Sequence, residues 1–238
     1  MSFIYFIRHG QAGPRDNYDV LSELGQSQAR LLGEHLTSHG VELEAVYSGN
    51  LRRQRQTAEI VCDAYARAGH AVPDIVGDER WNEFNLLSVY RAIEGRLMED
   101  DADFARDVEE MQEAIRKDPH AASGATGRCD ATVIRAWMEN RYADFEGETW
   151  ATFRQRVRDC ATEFHARKDD KAIAIFTSAT PIAILTSASL GVADDRLLDM
   201  LGVIYNTSVT VMRGRGNELR LFTFNSIPHL HPSMRTFR

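Results

Sequence analysis

Arg8-His9-Gly10-Gln11 is the stretch of this sequence best equipped for chemistry. His9 can serve as nucleophile or base near neutral pH. Arg8 presents a rigid fork of donors matched to phosphate or carboxylate oxygens, and Gly10 lets the backbone turn sharply and approach a bound anion. More cations follow at Arg52, Arg53 and Arg55, and Asp78-Glu79-Arg80-Trp81-Asn82-Glu83-Phe84 sets carboxyls beside two aromatic rings. Desolvation can tune such a carboxyl into a general acid. Lastly, Thr177-Ser178-Ala179-Thr180 closes an apolar run with hydroxyls. An isolated Arg-His-Gly is more often just the polar end of a strand, so the case rests on how these groups are positioned.

The positioning elements can be read from periodicity. Phe3–Ile7 is β-branched and aromatic and predicts a buried strand that delivers Arg8 and His9 at its carboxyl end. In open α/β sheets that is where ligands bind. Ser22 is a plausible N-cap for a helix with Leu24, Ala29, Leu31, Leu32 and Leu36 on one face, ending near Gly40. Leu43–Tyr47 predicts a second strand, and Ser48-Gly49-Asn50 a turn into a helix with Leu51, Ala58, Val61 and Tyr65 facing inward. Three arginines in its first turns oppose the helix macrodipole; they form either a solvated basic face or a site in which one joins Arg8 in the crevice. Residues 72–78 predict a short strand or loop.

From about 85 to 147 the rhythm is helical, with periods over 86–117 and 132–142 around a small-residue loop at 118–127. This predicts a helical cap insertion over the crevice, whose Arg91, Arg96, Arg128, Arg135 and Arg141 are candidates for substrate selection. Trp150, Phe153, Val157, Cys160 and Phe164 step along one helix face as core residues. Lys171–Thr177 predicts a second buried strand, after which Pro181 starts a helix whose N-terminus suits an anion. Val203–Arg213 and Asn217–Asn225 alternate around Gly214-Arg215-Gly216, a hairpin extending the sheet.

At 238 residues, 43% hydrophobic and 26% charged, the chain reads as an ordinary globular protein, one domain with an insertion. A net charge of −7 argues against non-specific nucleic-acid binding. The expected partner is instead a small anionic molecule in a local basic pocket. Cys62, Cys129 and Cys160 make neither a disulfide framework nor a CxxC metal pair, which suits a reducing cytoplasm. No leader and no membrane-spanning run is expected. His229 and His231 would suggest a metal only if a carboxylate joined them, so no metal site is expected. His35, His39, His70, His120 and His165 read as solvent-exposed. Nothing in the residues specifies an oligomeric state.

Several blocks resemble the histidine phosphatase superfamily, the phosphoglycerate-mutase-like proteins. They are Phe6–Gln11, Leu21–Ala29, Tyr47–Glu59, Asn82-Glu83, Gly147-Glu148-Thr149 with Phe153 and Arg156-Val157, and Phe224-Asn225 with His229-Leu230. Their order matches the family's, and the insertion alone is left unmatched. The resemblance implies a three-layer α/β/α sandwich with a mostly parallel central sheet, as one domain over 1–238 with the cap at about 85–147. It also implies two-step phosphomonoester hydrolysis, without metal or cofactor, on a small phosphorylated substrate. His9 would become phosphohistidine, Arg8 and Arg53 would hold the phosphoryl oxygens, and Glu83 would act as acid and base. Gln11 and Ser22 would add neutral donors. The family's usual asparagine after the first motif has no clear match; Asn17 is off-register.

One departure bears on activity: where the family usually has a second histidine, this chain has Ser178. Losing one charge-assisted donor would cost roughly 3 kcal/mol of transition-state stabilisation, on the order of a hundredfold in rate. The expectation is therefore a phosphatase of reduced activity or, alternatively, a weakened phosphate-ligand-binding member of the same fold.

Overall fold

The computed structural model describes residues 3–13, 17–117, 124–144, 146–164, 171–216 and 218–237. Met1 and Ser2, residues 118–123 of the expected loop with His120, His165, and Asn217, from which a strand is expected, lie outside the described residues. Chain contacts divide the protein into two compact units, residues up to Glu83 with those from Arg156 onward, and Phe84–Gln155.

The first unit is built on a six-stranded sheet, β1 (Phe3–Arg8), β2 (Leu43–Ser48), β3 (Ile75–Gly77), β4 (Ala172–Thr177), β5 (Val209–Arg215) and β6 (Glu218–Ser226), in the order β3-β2-β4-β1-β5-β6. The first four are mutually parallel; β5 pairs antiparallel with β1, and β6 antiparallel with β5. All six residues of β4 are buried, as its unbroken apolar run requires of a central strand covered on both faces. Alternation along β1 sends Ile7 into a core with Leu43, Val46, Ala174 and Phe176. Helices α1 (Glu23–Ser38) and α2 (Arg52–Arg67) cover that face. Phe6 points the other way, tilted against buried Trp81 with ring centroids 5.7 Å apart, a contact worth about 1 kcal/mol beyond its area. Helix α7 (Ala179–Leu190) packs against β1 and β6, and α8 (Leu197–Leu201) follows it. The mostly parallel α/β architecture is the one expected.

The second unit holds α3 (Leu86–Asp100), α4 (Ala102–Lys117) and α5 (Gly124–Met138); α6 (Trp150–Thr162) crosses the division at residue 155. Phe84 stacks on Trp137 at 4.5 Å, and Trp137 meets Trp150 edge-on at 5.6 Å. Arg96 pairs with Asp144, Arg128 with Asp107 and Glu110, and Arg141 with Asp100. Arg91 and Arg135 form no ion pair among the described residues.

Several boundaries differ from expectation. The helical run 86–117 breaks at Asp101, because its carboxylate caps a new helix by accepting the N–H groups of Asp103 and Phe104. The expected helix at 132–142 instead occupies 124–138: burial of Ala125 and Thr126 draws the small-residue segment into the helix despite its low propensity. The strand expected from Val203 starts at Val209, since Asn206 and Thr207 form a buried polar turn with Thr207 at φ 55°. Helix α7 begins at Ala179, two residues before Pro181, whose missing N–H would have no intrahelical partner there either. Helix α1 ends at Ser38, with Gly40 beyond it at φ 67°.

Candidate active site

Arg8 and His9 end β1, Arg53 sits in the first turn of α2 after β2, Glu83 follows β3, and Ser178 follows β4. The carboxyl ends of the four parallel strands thus deliver every candidate group to one end of the sheet. Backbone pairing sets the spacing. Arg8 lies in register with Thr177, the His9 N–H donates to the Thr177 carbonyl at 2.9 Å, and the Gly49 N–H donates to the Phe176 carbonyl at 3.0 Å.

His9 is almost wholly buried and its tautomer is fixed by its neighbours. Nδ1 lies 2.7 Å from the Gly10 carbonyl, which only accepts, so Nδ1 carries the proton. Nε2 is left with its lone pair, and Arg53 Nε donates to it at 3.2 Å. Burial holds the imidazole well below its ordinary pKa, and the Arg53 and Arg8 charges push it further down; the Gly10 bond opposes them weakly. The ring is therefore neutral near pH 7, with a nucleophilic nitrogen facing a guanidinium.

Three cations crowd the start of α2, and the structure separates them. Arg52 is exposed, Arg55 is exposed and paired with Glu59, and Arg53 is buried against His9. Arg53 also donates to Asp19 at 2.8 Å and lies over the Tyr18 ring, 5.1 Å from its centroid. The Asp19 carboxylate accepts the Arg52 N–H at 3.1 Å, so a carboxylate already occupies the positive end of α2. Arg8 is buried, donates to the Ile204 carbonyl and has no partner for Nε among the described residues. Burial lowers its pKa, the nearby Tyr18 and Glu83 oppose that, and Arg53 adds to it. Glu83 accepts the Thr180 N–H at 3.2 Å, on the first turn of α7. Its loop is held by Arg156, which donates to the Arg80 and Asn82 carbonyls at 2.8 and 3.2 Å.

Gln11 and Ser22 meet each other: the Ser22 hydroxyl donates to Gln11 Oε1 at 2.8 Å while accepting the Gly25 N–H as the α1 N-cap. Gly10 differs from expectation. Its N–H donates to Thr57 Oγ1 at 3.0 Å, and a Cβ there would lie 2.5 Å from the Gly25 carbonyl. The glycine thus permits close backbone packing beneath His9, and its N–H is already engaged.

The sequence reading missed Asp19, Thr57, Gln54, Asn206 and Thr207. The last two hold the His9 end of β1 from below: Asn206 Nδ2 donates to the His9 carbonyl at 3.1 Å, and the Thr207 N–H to the Arg8 carbonyl at 3.1 Å. A polar Asn-Thr-Ser run just before an apolar strand was the available signal. The cysteines offer no rival nucleophile, because burial pushes Cys62 and Cys129 up to about 11 and Cys160 higher still. Among the described residues no group of His, Cys, Asp or Glu is placed to hold a metal ion, and no helix is long and apolar enough to cross a membrane. His229 and His231 do not converge: His229 meets Thr207, whereas His231 caps a single turn through Ser233.

Residues 4–227 match the histidine phosphatase superfamily (branch 1), and the chain belongs to that family. Among solved structures, YhfR of Bacillus stearothermophilus is similar at 22% identity and a TM-score of 0.64, covering 96% of this chain and 99% of its own. A phosphoserine phosphatase mutant from Entamoeba histolytica, in complex with phosphoserine, is 15% identical with a TM-score of 0.60, covering 97% and 100%. A mycobacterial glucosyl-3-phosphoglycerate phosphatase with VO3 is 24% identical with a TM-score of 0.59, covering 94% and 98%. No curated protein sequence matches the chain.

Proposed function

We propose that the protein hydrolyses small phosphomonoesters through a phosphohistidine on His9, without a metal. The observation that carries this reading is the neutral imidazole with Nδ1 locked on the Gly10 carbonyl and Nε2 facing Arg53 at 3.2 Å. On binding, a phosphoryl oxygen takes over the Arg53 donor and exposes the Nε2 lone pair to phosphorus. The N–P bond forms as the ester P–O bond breaks. Arg8 and Arg53 hold the oxygens whose charge shifts in the transition state, the electrostatic work that dominates phosphoryl transfer. Glu83 gives its proton to the leaving alkoxide, then takes one from the water that attacks phosphorus and returns the N–P electron pair to His9.

Gln11 serves through its amide nitrogen, with Ser22 holding the carbonyl side of that amide. Ser178 stands in the second histidine's place and offers a hydroxyl donor in its stead. The 72-residue segment Phe84–Gln155 is read as carrying the inserted cap of a single phosphoglycerate-mutase-like domain. The small phosphorylated substrates named for two of the similar structures define the class to try first. Ser178 also favours the second reading, a protein that binds phosphorylated ligands and turns them over slowly or not at all.

Hydrolysis of an aryl phosphate by wild type and by His9→Ala tests the first reading and separates it from the second. Turnover in wild type and background in the variant are expected. Equal background rates in both, with phosphate still bound, would leave only the binding protein.

A further inference from the structure

Gln54 follows Arg53 on α2, and its side chain is wholly buried. Its amide nitrogen donates to the Trp81 carbonyl at 3.2 Å and to Ser178 Oγ at 2.9 Å. The Trp81 carbonyl can only accept, so the amide is oriented with its NH2 toward both partners and its oxygen away. That oxygen, Oε1, has no partner among the described residues, and a Cβ at Gly49 would lie 2.0 Å from it. Gly49 therefore leaves the space the amide occupies.

Ser178 is 1% exposed and is the N-cap residue of α7, yet its hydroxyl caps nothing. The Thr180 N–H it would ordinarily serve donates to Glu83 instead. The bond Ser178 Oγ makes is one it accepts, so among the described residues its own proton has no acceptor. A buried hydroxyl proton left unpaired is costly, and it is best satisfied by an anion. The β1–β4 register brings Arg8 level with Thr177, so His9 and Ser178 emerge side by side at the carboxyl end of the sheet.

We infer that Gln54 is a positioning residue: by donating to Ser178 Oγ it commits the Ser178 hydroxyl to donate in turn to the phosphoryl oxygens, given that His9 is the phosphoryl acceptor. Accepting one hydrogen bond strengthens a hydroxyl as donor of the next. The same amide ties down the Trp81 carbonyl, which Thr177 Oγ1 also holds at 2.6 Å, two residues before Glu83. One side chain thus fixes both a phosphate donor and the loop carrying the acid. The pair suits a short residue at 178, because the hydroxyl sits at hydrogen-bond distance from the Gln54 amide.

The test is a double-mutant cycle on orthovanadate inhibition, with kcat and KM measured alongside, for wild type, Ser178→Ala, Gln54→Met and the double variant. Each single change is expected to weaken vanadate about tenfold, and the double variant to be no more than about twofold worse than either. Gln54→Glu, which keeps the shape but offers Ser178 an acceptor, is expected to weaken vanadate as much as Gln54→Met. Ser178→His is expected to lower kcat/KM. Losses that multiply to about a hundredfold in the double variant, unchanged vanadate affinity in either Gln54 variant, or a gain from Ser178→His would each overturn the assignment. A wild type that neither turns over nor depends on His9 defeats the phosphatase reading itself, a result distinct from all of these.

Discussion

Two regions of the sheet-bearing unit withdraw a histidine from water, His9 almost wholly and His229 in part, and they differ in what surrounds it. His9 lies between Arg53 and Arg8, with Glu83 within electrostatic reach of Arg8. His229 lines a cavity of about 270 Å³ among Phe3, Tyr5, Val209, Val211 and Phe222, with His35 and His39 beside it. The His35 ring sits 4.0 Å from His39 and 5.9 Å from His229. Thr207 Oγ1 donates to the Asn206 carbonyl and so accepts from His229 Nε2 at 3.0 Å. Burial, aided by His35, lowers His229 to about 4. Both imidazoles are thus neutral near pH 7. Burial alone makes a neutral ring; only the ring between guanidiniums is placed to meet a phosphate.

Four changes break or sharpen that contrast, and Arg53→Ala has the largest expected effect. It removes a donor aimed at the developing charge and should lower kcat/KM about 10²–10³-fold, read from steady-state hydrolysis. Glu83→Gln should lower kcat/KM, which reports the step that expels the alcohol, about a hundredfold for alkyl phosphates, and much less for aryl phosphates, whose leaving groups need no proton. Equal losses on both substrate types would remove Glu83 as the acid.

His229→Phe should act on stability. The folded value of about 4 lies below an unfolded value near 6.5. The stability of the neutral buried ring is therefore complete above about pH 6.5, and it is lost as pH falls toward 4, by roughly 3 kcal/mol in all. Denaturant melts of the variant should show a flatter fall over that range than wild type; parallel curves would contradict the burial argument. The smallest effect is expected from Asp19→Asn, which frees the Arg53 guanidinium of a half-exposed competing anion. KM should fall by about twofold to fivefold, in keeping with the modest energy of an exposed pair.

What was legible in the sequence follows from how far each signal reaches. The unbroken apolar runs of β1 and β4, with polar groups at their ends, located Arg8, His9 and Ser178 because a parallel sheet presents its strand ends together. Arg53 was distinguishable from Arg52 and Arg55 only through family spacing, since burial of one cation among three depends on the partner strand. Gln54, Asp19 and Asn206 were not legible, because each acts through a neighbour distant in sequence, 124, 34 and 197 residues away. Asn206 and Thr207 were further hidden by their short turn, which read as the start of β5. In the helical unit, tertiary burial of Ala125 and Thr126 outweighed local propensity, and the Asp101 cap divided a continuous period.

The most direct test of His9 as the phosphoryl acceptor is rapid alkaline or denaturant quench of wild type and His9→Ala during turnover of a labelled phosphomonoester, followed by peptide mapping at neutral or alkaline pH. The expected result is an acid-labile phosphate on His9 in wild type and none in the variant. Turnover without that adduct, or phosphate on another residue, would contradict the account.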